Sequence, residues 1–437
     1  MANGLIIAAP SSGSGKTVVT LSLLAALRQS GVNVASAKVG PDYIDPCFHS
    51  ESSGRPCLNL DQWAMCPQTI AQNLAALASD SEMVVIEGVM GLFDGPEMGK
   101  GSTADLAAKF DLPVILVVNC SHQAQSVAAL VKGFAELRDD INLAGVILNW
   151  VSSDRHTRLL KRAVQSIGIK VIGAVPRVSD LQLPSRHLGL VQANEHPEIK
   201  QFVERAGQIG TANIDLQALL SLAKPLPDAT SKTTSLPPLL PPLGQRIAIA
   251  RDEAFGFFYP HLELNWQATG AEIIPFSPLA DEAPDKDADA IFLPGGYPEL
   301  HGAKLATNAN FLNGLKTSPA LIYGECGGYM VLGDAIIDKD GNRHTMAGLL
   351  PVTTSFATRK LTLGYRTLSH NSPLPWPKHL KAHEFHFSTV TDQQSATPLF
   401  DAWDTTGKPL AAMGLQRGKV MGSYAHIIDQ APIGPIP

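Results

Sequence analysis

The sequence predicts an α/β protein with two domains, of which the first is built around a parallel sheet. Apolar runs of strand length alternate with helical stretches in both halves of the chain, and in the first half this alternation predicts a parallel sheet with helices on both faces. Residues 224–244 are rich in Pro, Ser and Thr and indicate a linker between the halves. The length of 437 residues suits two domains of ordinary size.

Composition and charge restrict the class of protein. Hydrophobic residues make up 45% of the chain and charged residues 17%, which is typical of a globular protein with packed cores. The net charge of −6 lacks the basic excess that binding to a phosphate backbone requires. We therefore expect small-molecule partners and no nucleic acid, while a homodimer is compatible with the composition but not specified by it.

The sequence predicts neither membrane insertion nor export. Its longest apolar runs, such as residues 112–118, are much shorter than the roughly 20 residues that span a bilayer. The N-terminal apolar run enters a glycine-rich loop instead of a signal-peptide cleavage site. Five cysteines, an odd number without a CxxC pair, suit reduced thiols. These features predict a cytoplasmic protein.

Four regions follow one another along the chain. We assign residues 1–195 to the first domain, 196–223 to a helical extension, 224–244 to the linker and 245–437 to the second domain. The strands expected in the first half are 5–9, 34–38, 84–88, 114–119, 145–150 and 171–175. In the second half they are 246–250, 271–276, the starts of 290–296 and 320–328, and segments around 347–354, 362–368, 383–390 and 419–424.

The segment SSGSGKT follows the first expected strand and opens the first helix, as a phosphate-binding P-loop does. Gly13 and Gly15 let backbone N–H groups turn toward phosphate oxygens, and Lys16 supplies a cation for the terminal phosphates. The Thr17 hydroxyl can bind Mg²⁺. Pro10 replaces the first glycine of the general pattern, but strand, loop and helix occur in the right order. We predict an ATP site that uses Mg²⁺.

Polar side chains end other strands at what should be the same edge of the sheet. Glu87 leads into the loop EGVMGLFDG and is a candidate Mg²⁺ ligand. Asp94 in that loop is a weaker candidate, because Asp-Gly is also an ordinary turn pair. Asn149 and Asn119 end two further strands, and each would either contact the nucleotide or cap the following helix.

The loop KVGPDYIDPCFH also follows a strand and should lie on the nucleotide edge of the sheet. It carries Lys38, Asp42, Tyr43 and Asp45 on a segment that prolines keep irregular. We assign Asp42, Tyr43 and Asp45 to a substrate loop. Asp45 is also a further candidate ligand for Mg²⁺.

Cys326 stands between an expected strand and an expected helix in the segment ALIYGECGGYMVLG. Its glycine neighbours allow a strained turn that pushes the thiol outward, as in a nucleophile elbow. The N-terminus of the following helix would also favour the thiolate and lower the pKa of this thiol. The alternative is a buried structural cysteine in a plain glycine turn. The pattern favours an exposed, nucleophilic thiol.

A thiol nucleophile needs a base, and the second half contains several histidines. His426 follows a strand near the end of the chain, which would place it at the same sheet edge as the thiol. His383 and His386 are three apart in one strand, so they should face opposite sides and are less suitable. The turn after the strand at 290–296 offers the N–H groups of Gly295 and Gly296 as an oxyanion hole.

Together these motifs resemble the cobyrinic acid a,c-diamide synthase family, which joins a dethiobiotin-synthetase-like ATP domain to a class I glutamine amidotransferase domain. The resemblance spans nearly the whole chain, and Pro10 is usual in the loop of that family. It implies a P-loop parallel-sheet domain followed by a class I glutaminase-like α/β domain. The motifs are APSSGSGKT, KVGPDYIDPCFH, EGVMGLFDG, GSTADLA, LPGGYPEL, YGECGGYMVLG, HEFHFS and GSYAHI.

The resemblance also implies a reaction in cobalamin biosynthesis on a corrinoid precursor, ATP and glutamine. Cys326 would hydrolyse glutamine with the help of His426, and ammonia would reach a ring carboxylate activated as an acyl phosphate. General class I glutaminases carry a glutamate two residues after the histidine, where this chain has Ile428, so the sequence names no third member of the site. The segments APSSGSGKT, SGRPCLNLDQWAM and RHLGLVQA favour cobalt-free hydrogenobyrinic acid over cobyrinic acid.

Two other classes of protein share parts of this pattern. A P-loop switch ATPase could carry a degenerate glutaminase-like domain, but the intact GECGG turn argues against it. A glutamine-hydrolysing module could deliver ammonia to a separate synthetase, but an ATP domain in the same chain makes an external acceptor unnecessary.

Overall fold

The computed structural model describes residues 2–178, 181, 185–186, 189–190, 198–226 and 240–431. The chain divides into two compact units. Unit 1 comprises Met1–Trp63 and Pro67–Leu236, and unit 2 comprises Ala64–Cys66 and Pro237–Pro437. Most of the expected linker, residues 227–239, lies outside the described residues. None of the described helices is long and apolar enough to cross a membrane.

Unit 1 is a parallel sheet with helices around it. Its strands are β1 Asn3–Ala8, β2 Val34–Val39, β3 Leu58–Leu60, β4 Met83–Glu87, β5 Pro113–Asn119, β6 Asn142–Val151, β7 Val171–Pro176, β8 Ser185–Arg186, β9 Gly189–Leu190 and β10 Lys224–Pro225. Its helices are α1 Lys16–Gln29, α2 Asp45–Ser53, α3 Pro67–Ser79, α4 Thr103–Phe110, α5 Val127–Glu136, α6 Asp154–Gln165, α7 Ile199–Asn213 and α8 Leu216–Leu222.

The strand order of unit 1 places its first loop in the middle of the sheet. The order is β3-β2-β4-β1-β5-β6-β7, and all of these pairs are parallel. The carboxyl ends of β1, β2 and β4 are therefore neighbours, so the loops that follow them meet at one edge. These strands are rich in Val, Ile and Leu and almost wholly buried, as expected for a parallel sheet covered on both faces.

Two features of unit 1 differ from the sequence-based division. Residues Lys224–Pro225 at the start of the expected linker form β10, which pairs antiparallel with β1. The expected helical extension is part of the core of unit 1, because Phe202 and Ala206 of α7 share a buried cluster with Leu24 of α1. A linker and an extension are inferred from composition, whereas sheet pairing and core packing depend on contacts distant in sequence.

Unit 2 contains a second α/β arrangement. Its strands are β11 Arg246–Ala250, β12 Glu272–Phe276, β13 Ala290–Leu293, β14 Leu321–Glu325, β15 Ala335–Ile337, β16 Arg343–Thr345, β17 Val352–Ser355, β18 Thr362–Ser369, β19 His379–His386, β20 Thr389–Gln393, β21 Thr397–Trp403, β22 Met413–Arg417, β23 Val420–Ser423 and β24 Ala425–Gln430. Its helices are α9 Pro260–Ala268, α10 Gly302–Thr307, α11 Ala309–Thr317 and α12 Gly327–Leu332, with 3₁₀ turns at Pro278–Ala280 and Pro298–Leu300.

The main sheet of unit 2 is half parallel and half antiparallel. Its order is β12-β11-β13-β14-β23-β22-β21-β18-β19-β24. The pairs from β12 to β23 are parallel, and those from β23 to β24 are antiparallel. A smaller sheet has the order β16-β15-β17-β20. The α/β class is confirmed. The late strands pair antiparallel because they follow one another without crossover helices.

Candidate active sites

The loop between β1 and α1 has the backbone conformation of a phosphate-binding loop. Gly13 and Gly15 have φ angles of 77° and 81°, in the left-handed region that glycine adopts without strain. Gly15 is the N-cap of α1, so the positive end of the helix faces the space enclosed by the loop. A Cβ atom on Gly15 would collide with the side-chain amide of Asn149. Glycine is therefore required at this position for both conformation and space.

Asn149 at the end of β6 fixes the shape of this loop. Its Nδ2 donates to the carbonyl of Ser14 at 2.9 Å, and its Oδ1 accepts from the backbone N–H of Trp150 at 3.0 Å. The side chain is buried. Asn119, the other asparagine considered, accepts from the N–H of Ser121 and serves its local turn. We interpret Asn149 as a residue that positions the loop around a nucleotide.

Replacing Gly15 by alanine should weaken ATP binding about tenfold or more, since about 1.4 kcal/mol of strain already corresponds to a factor of ten. The added methyl group would sit in an unfavourable φ region and displace the Asn149 amide. Titration with a fluorescent ATP analogue measures the effect. Gly133→Ala in α5 is the matched control, because a Cβ there meets no atom within 4 Å. Equal ATP affinity in both variants would contradict the assignment of this loop.

The predicted magnesium and phosphate residues converge in one charged cluster. Lys16 Nζ lies 3.0 Å from Glu87 Oε1, and the Thr17 hydroxyl donates to the same oxygen at 2.9 Å and to Asp45 Oδ2 at 3.3 Å. Lys38, the last but one residue of β2, contacts Asp45 Oδ2 at 2.6 Å and Glu87 Oε1 at 2.9 Å. The loops after β1, β2 and β4 thus bring two ammonium groups, two carboxylates and a hydroxyl together.

The charges of this cluster depend on each other because the groups are buried. Burial opposes the charge of Lys38, but Asp45 and Glu87 outweigh this effect and raise its pKa. Burial alone would raise the pKa of Glu87, but Lys38 and Lys16 hold it well below its usual value. Burial lowers the pKa of Lys16 in spite of Glu87. Lys38 is therefore a fixed cation that stabilises the ionised form of Glu87.

His49 is a member of this cluster that the sequence analysis missed. Its Nε2 contacts Oε2 of Glu87, and both side chains are fully buried. Asp45 and His49 are four residues apart on α2, so they lie on one face of that helix. This spacing is a signal that was present in the sequence. His49 therefore contacts one oxygen of the Glu87 carboxylate, Oε2, while Lys16 and Lys38 both contact the other, Oε1.

The expected substrate loop has a partly structural role. Asp42 Oδ1 accepts from the N–H groups of Ile44 at 2.8 Å and Asp45 at 3.2 Å, which shapes the entry into α2. Asp42 also lines a cavity of about 360 Å³ beside the phosphate-binding loop. Tyr43 is buried. Asp94 accepts from the N–H of Gly91 at 2.8 Å within its own loop, which favours the turn interpretation for that residue.

Cys326 occupies a strained turn between β14 and α12. It is the N-cap of α12, and its φ of 46° is a left-handed value that non-glycine residues rarely adopt. The nucleophile-elbow geometry expected from the sequence is therefore present. Two other expectations are wrong: the thiol is buried, with 4% of the residue exposed, and its pKa is raised. Burial is the main cause and Glu299 adds to it, which together outweigh the Gly327 N–H at the helix start.

His426 is carried to the neighbourhood of the thiol by strand pairing. β14 and β23 are parallel neighbours, and the Cys326 N–H donates to the carbonyl of Ser423 at 2.8 Å. His426 follows three residues later on β24 and is fully buried, and burial lowers its pKa to about 3. A Cβ atom on Gly295 would collide with the His426 ring, so glycine is required there for close approach.

The turn that contains Gly295 and Gly296 lies against the elbow. The Gly295 carbonyl accepts from the N–H of Phe257 at 2.9 Å, which holds the turn in place. The backbone nitrogen of Gly296 is 3.0 Å from the position that a Cβ of Gly327 would occupy. This contact brings the proposed oxyanion donors next to the residue that follows the nucleophile.

His383 and His386 point to opposite faces of β19, as the sequence predicted. His383 lies opposite His426 in the β19–β24 register, whereas His386 is on the other face of β19. The ring nitrogens of His386 face two oxygen acceptors, the Ser388 carbonyl at 3.0 Å and Glu384 Oε1 at 2.9 Å. Both nitrogens of His386 are therefore occupied, which makes it unsuitable as the base for the thiol.

A buried ion pair that the sequence analysis missed supports this region. Arg366 of β18 contacts Glu384 Oε2 through Nε and Nη2, both at 2.8 Å. The His386 ring stacks on Tyr424 at a centroid distance of 3.7 Å, and Tyr424 in turn packs against Tyr329 of α12. The alternation in HEFHFS places Glu384 and His386 on one face, which was a usable signal.

The fold and the two sites define a class: two-unit amidotransferases that combine an ATP-binding P-loop unit with a glutaminase unit. Residues 5–191 match the model of the CobQ/CobB/MinD/ParA nucleotide binding domain, and residues 246–432 match the CobB/CobQ-like glutamine amidotransferase domain. Both matches agree with the resemblance inferred from the motifs.

Full-length relatives identify the family within that class. The chain is 50% identical over 430 residues to hydrogenobyrinate a,c-diamide synthase of Rhizobium meliloti (strain 1021), covering 98% of this chain and 99% of that protein. It is 51% identical to the protein of that name from Brucella abortus biovar 1 (strain 9-941), with 98% of each covered. The Agrobacterium fabrum (strain C58) protein of that name is 48% identical, with 98% and 99% covered. The chain belongs to the hydrogenobyrinate a,c-diamide synthase family.

Proposed function

We propose that this protein amidates the a- and c-carboxylates of hydrogenobyrinic acid with ATP and glutamine, as a step of cobalamin biosynthesis. The observation that carries the proposal is the presence, in one chain, of a lysine–carboxylate cluster at a P-loop and a cysteine elbow in a glutaminase unit. Relatives about 50% identical over 98% of the chain bear the corresponding name. None of the five cysteines forms a disulfide, which suits a reducing cytoplasm.

In unit 1, the ring carboxylate would be activated by phosphorylation. The loop N–H groups and Lys16 hold the ATP phosphates, and a carboxylate oxygen of the ring attacks the terminal phosphorus while its bond to ADP breaks. Ammonia then adds to the acyl carbon, and inorganic phosphate departs with the electron pair of the C–O bond. Lys38 is held as a cation within the same cluster and would stabilise negative charge on the transferred group.

The oxygen atoms of unit 1 suit Mg²⁺. The Thr17 hydroxyl and the carboxylates of Asp45 and Glu87 converge, and hard oxygen ligands of this kind are the ones that Mg²⁺ prefers. Mg²⁺ is usually held by one or two carboxylates together with the phosphates of the substrate. When bound there, Mg²⁺ supplies positive charge to the β- and γ-phosphates.

In unit 2, we assign glutamine hydrolysis to Cys326 with His426 as its base. The Gly295 and Gly296 turn would supply the oxyanion donors for the tetrahedral intermediate. The buried thiol with a raised pKa is a poor nucleophile by itself, so its activation depends on transfer of its proton to a neighbouring base. The ammonia produced is the nitrogen source for unit 1.

Mass analysis of the products tests this proposal. We expect ATP, MgCl₂ and glutamine labelled with ¹⁵N in its amide to convert hydrogenobyrinic acid into a diamide that carries two ¹⁵N atoms. Cobyrinic acid is the matched comparison and should react more slowly, because the relatives are named for the cobalt-free ring. ATP hydrolysis without amidation of either ring would overturn the proposal.

A further inference from the structure

We propose that Glu325, the residue directly before the nucleophile, is the acid that orients His426 and stabilises its protonated ring. It would be a positioning residue that acts on the thiol through His426. This inference rests on the proposed function, since it concerns the glutaminase reaction, and it supplies the third member that the sequence leaves unnamed.

The position that carries the acid in other class I glutaminases is apolar in this chain. Ile428 stands two residues after His426 on β24, and its side chain is buried. Glu325 is a buried carboxyl group near the same histidine, with 2% of the residue exposed. Its Oε2 lies 3.8 Å from His426 Nδ1, and its Oε1 accepts from the backbone N–H of Ile427 at 3.0 Å.

Strand pairing makes this arrangement a fixed part of the fold. In the β14–β23 ladder Glu325 lies opposite Ser423, so its side chain reaches the start of β24. The Ile427 N–H holds Oε1 of Glu325, the Tyr323 hydroxyl also interacts with this carboxyl group, and Oε2 lies toward His426. The turn at Gly295 packs against the ring near Cε1, where a Cβ would collide with it. The imidazole thus lies beside both the turn and the carboxylate.

Other titratable groups near this pair do not replace Glu325. His383 faces His426 across β19, His386 lies farther along that strand, and Tyr323 precedes Glu325 on the same face of β14. None of these groups is an acceptor carboxylate. Glu384 is one, but Arg366 and His386 already occupy its oxygens.

The observed distance fits a resting enzyme. A separation of 3.8 Å allows electrostatic attraction but exceeds the roughly 2.7–3.2 Å of an N–H···O hydrogen bond. Catalytic hydrogen bonds are often long without substrate and shorten in the Michaelis complex. A small rotation of the ring about its side-chain torsions would bring Nδ1 into range.

The ionisation of the pair decides when His426 can act as a base. Burial raises the pKa of Glu325 to about 8, in spite of the hydrogen bond from Ile427. At lower pH the carboxyl group keeps its proton and has no charge to offer the ring. Once this proton is lost, the carboxylate accepts the Nδ1 hydrogen, and the Nε2 lone pair is left for the thiol.

The proton steps then balance. The S–H bond of Cys326 breaks and its proton passes to Nε2 of His426, giving an imidazolium between two anions. The thiolate adds to the carboxamide carbon of glutamine, and the C–N bond breaks as the imidazolium returns the proton to the departing ammonia. Water then releases glutamate from the thioester. We expect glutamine hydrolysis to rise with pH as Glu325 ionises, in the alkaline range.

The test is Glu325→Gln, which keeps the size and an acceptor for the Ile427 N–H but removes the ionisable acid. We expect kcat for glutamine hydrolysis to fall by about 100-fold or more, as removal of an orienting acid does in other nucleophile–histidine sites, with little change in KM. The rise of kcat with pH in the range where Glu325 ionises should also disappear. Amidation with ammonium should be retained, and the exposed Glu272→Gln is the matched control.

Unchanged kcat and an unchanged pH profile in Glu325→Gln would overturn the inference. If the variant also loses ammonium-dependent amidation, the substitution has damaged its fold. The inference is then tested on the unaltered protein. There, ¹⁵N NMR of labelled histidine, assigned with His426→Ala, should show the Nδ1–H tautomer of His426 at about pH 9, above the pKa of Glu325. An Nε2–H tautomer would overturn it. Glutamine-dependent amidation by Cys326→Ala would instead contradict the proposed function.

Discussion

Replacing Cys326 by alanine should abolish amidation with glutamine and leave amidation with ammonium at the rate of the unaltered protein. The substitution removes only the sulfur atom that attacks glutamine, and unit 1 keeps its ATP site. Loss of a covalent nucleophile reduces turnover by at least about 1,000-fold. Parallel assays of diamide formation with glutamine and with ammonium chloride measure the two outcomes. The alanine side chain is smaller than that of cysteine, so it should fit into the strained turn at this position.

Cys66→Ala is the matched control for this experiment. Cys66 is another buried thiol assigned to unit 2, so its loss tests whether removal of a thiol as such impairs the protein. We expect this variant to amidate with either nitrogen source. Full glutamine-dependent activity in Cys326→Ala would show that the elbow is not the nucleophile, and loss of both activities would show that the substitution damages more than the glutaminase site.

Replacing Lys16 by alanine should stop amidation with both nitrogen sources. Lys16 is the P-loop lysine, and burial lowers its pKa in the absence of nucleotide. The negative charge of a bound phosphate would stabilise its ammonium form. Loss of one charge that stabilises a transferring phosphoryl group costs about 10³-fold or more in turnover. ADP release and diamide formation with ammonium measure the effect. Glutamine hydrolysis by unit 2, assayed alone, should persist.

The structure indicates that Lys16→Ala will fold. Glu87 loses one partner but keeps the cation of Lys38 at 2.9 Å and its contact with His49, so no uncompensated buried charge remains. Lys132→Ala is the control, since that lysine forms an exposed pair with Glu136 and such pairs contribute little. Unchanged amidation in Lys16→Ala would remove the basis for an ATP site in this loop.

Local patterns carried most of the correct predictions. The P-loop and the cysteine elbow are each a strand, a short glycine-containing turn and a helix in sequence order, so the residues that build them are neighbours in the chain. The opposite directions of His383 and His386 followed from the period of a strand. These inferences needed no knowledge of contacts between distant segments.

The wrong predictions concern quantities that distant segments decide. The thiol was expected to be exposed with a lowered pKa, because an elbow and a helix N-terminus were the visible features. In the folded chain Cys326 belongs to the same buried cluster as Tyr424, its Sγ lies 3.8 Å from the carbonyl oxygen of Phe385, and burial outweighs the helix end. The pKa of a group depends on all charges and atoms around it, and these come from other strands.

The sequence by itself determined the α/β class and the order of the two chemical motifs, and it named Cys326 and Lys16 as the candidate nucleophile and phosphate-binding lysine. Only the tertiary structure placed Lys38 and His49 on Glu87, and only it brought Glu325 within 3.8 Å of His426. The physical reason is that parallel strands pair in an order different from their order in the chain. Residues separated by about a hundred positions, such as Glu325 and His426, become neighbours through a register that no local pattern encodes.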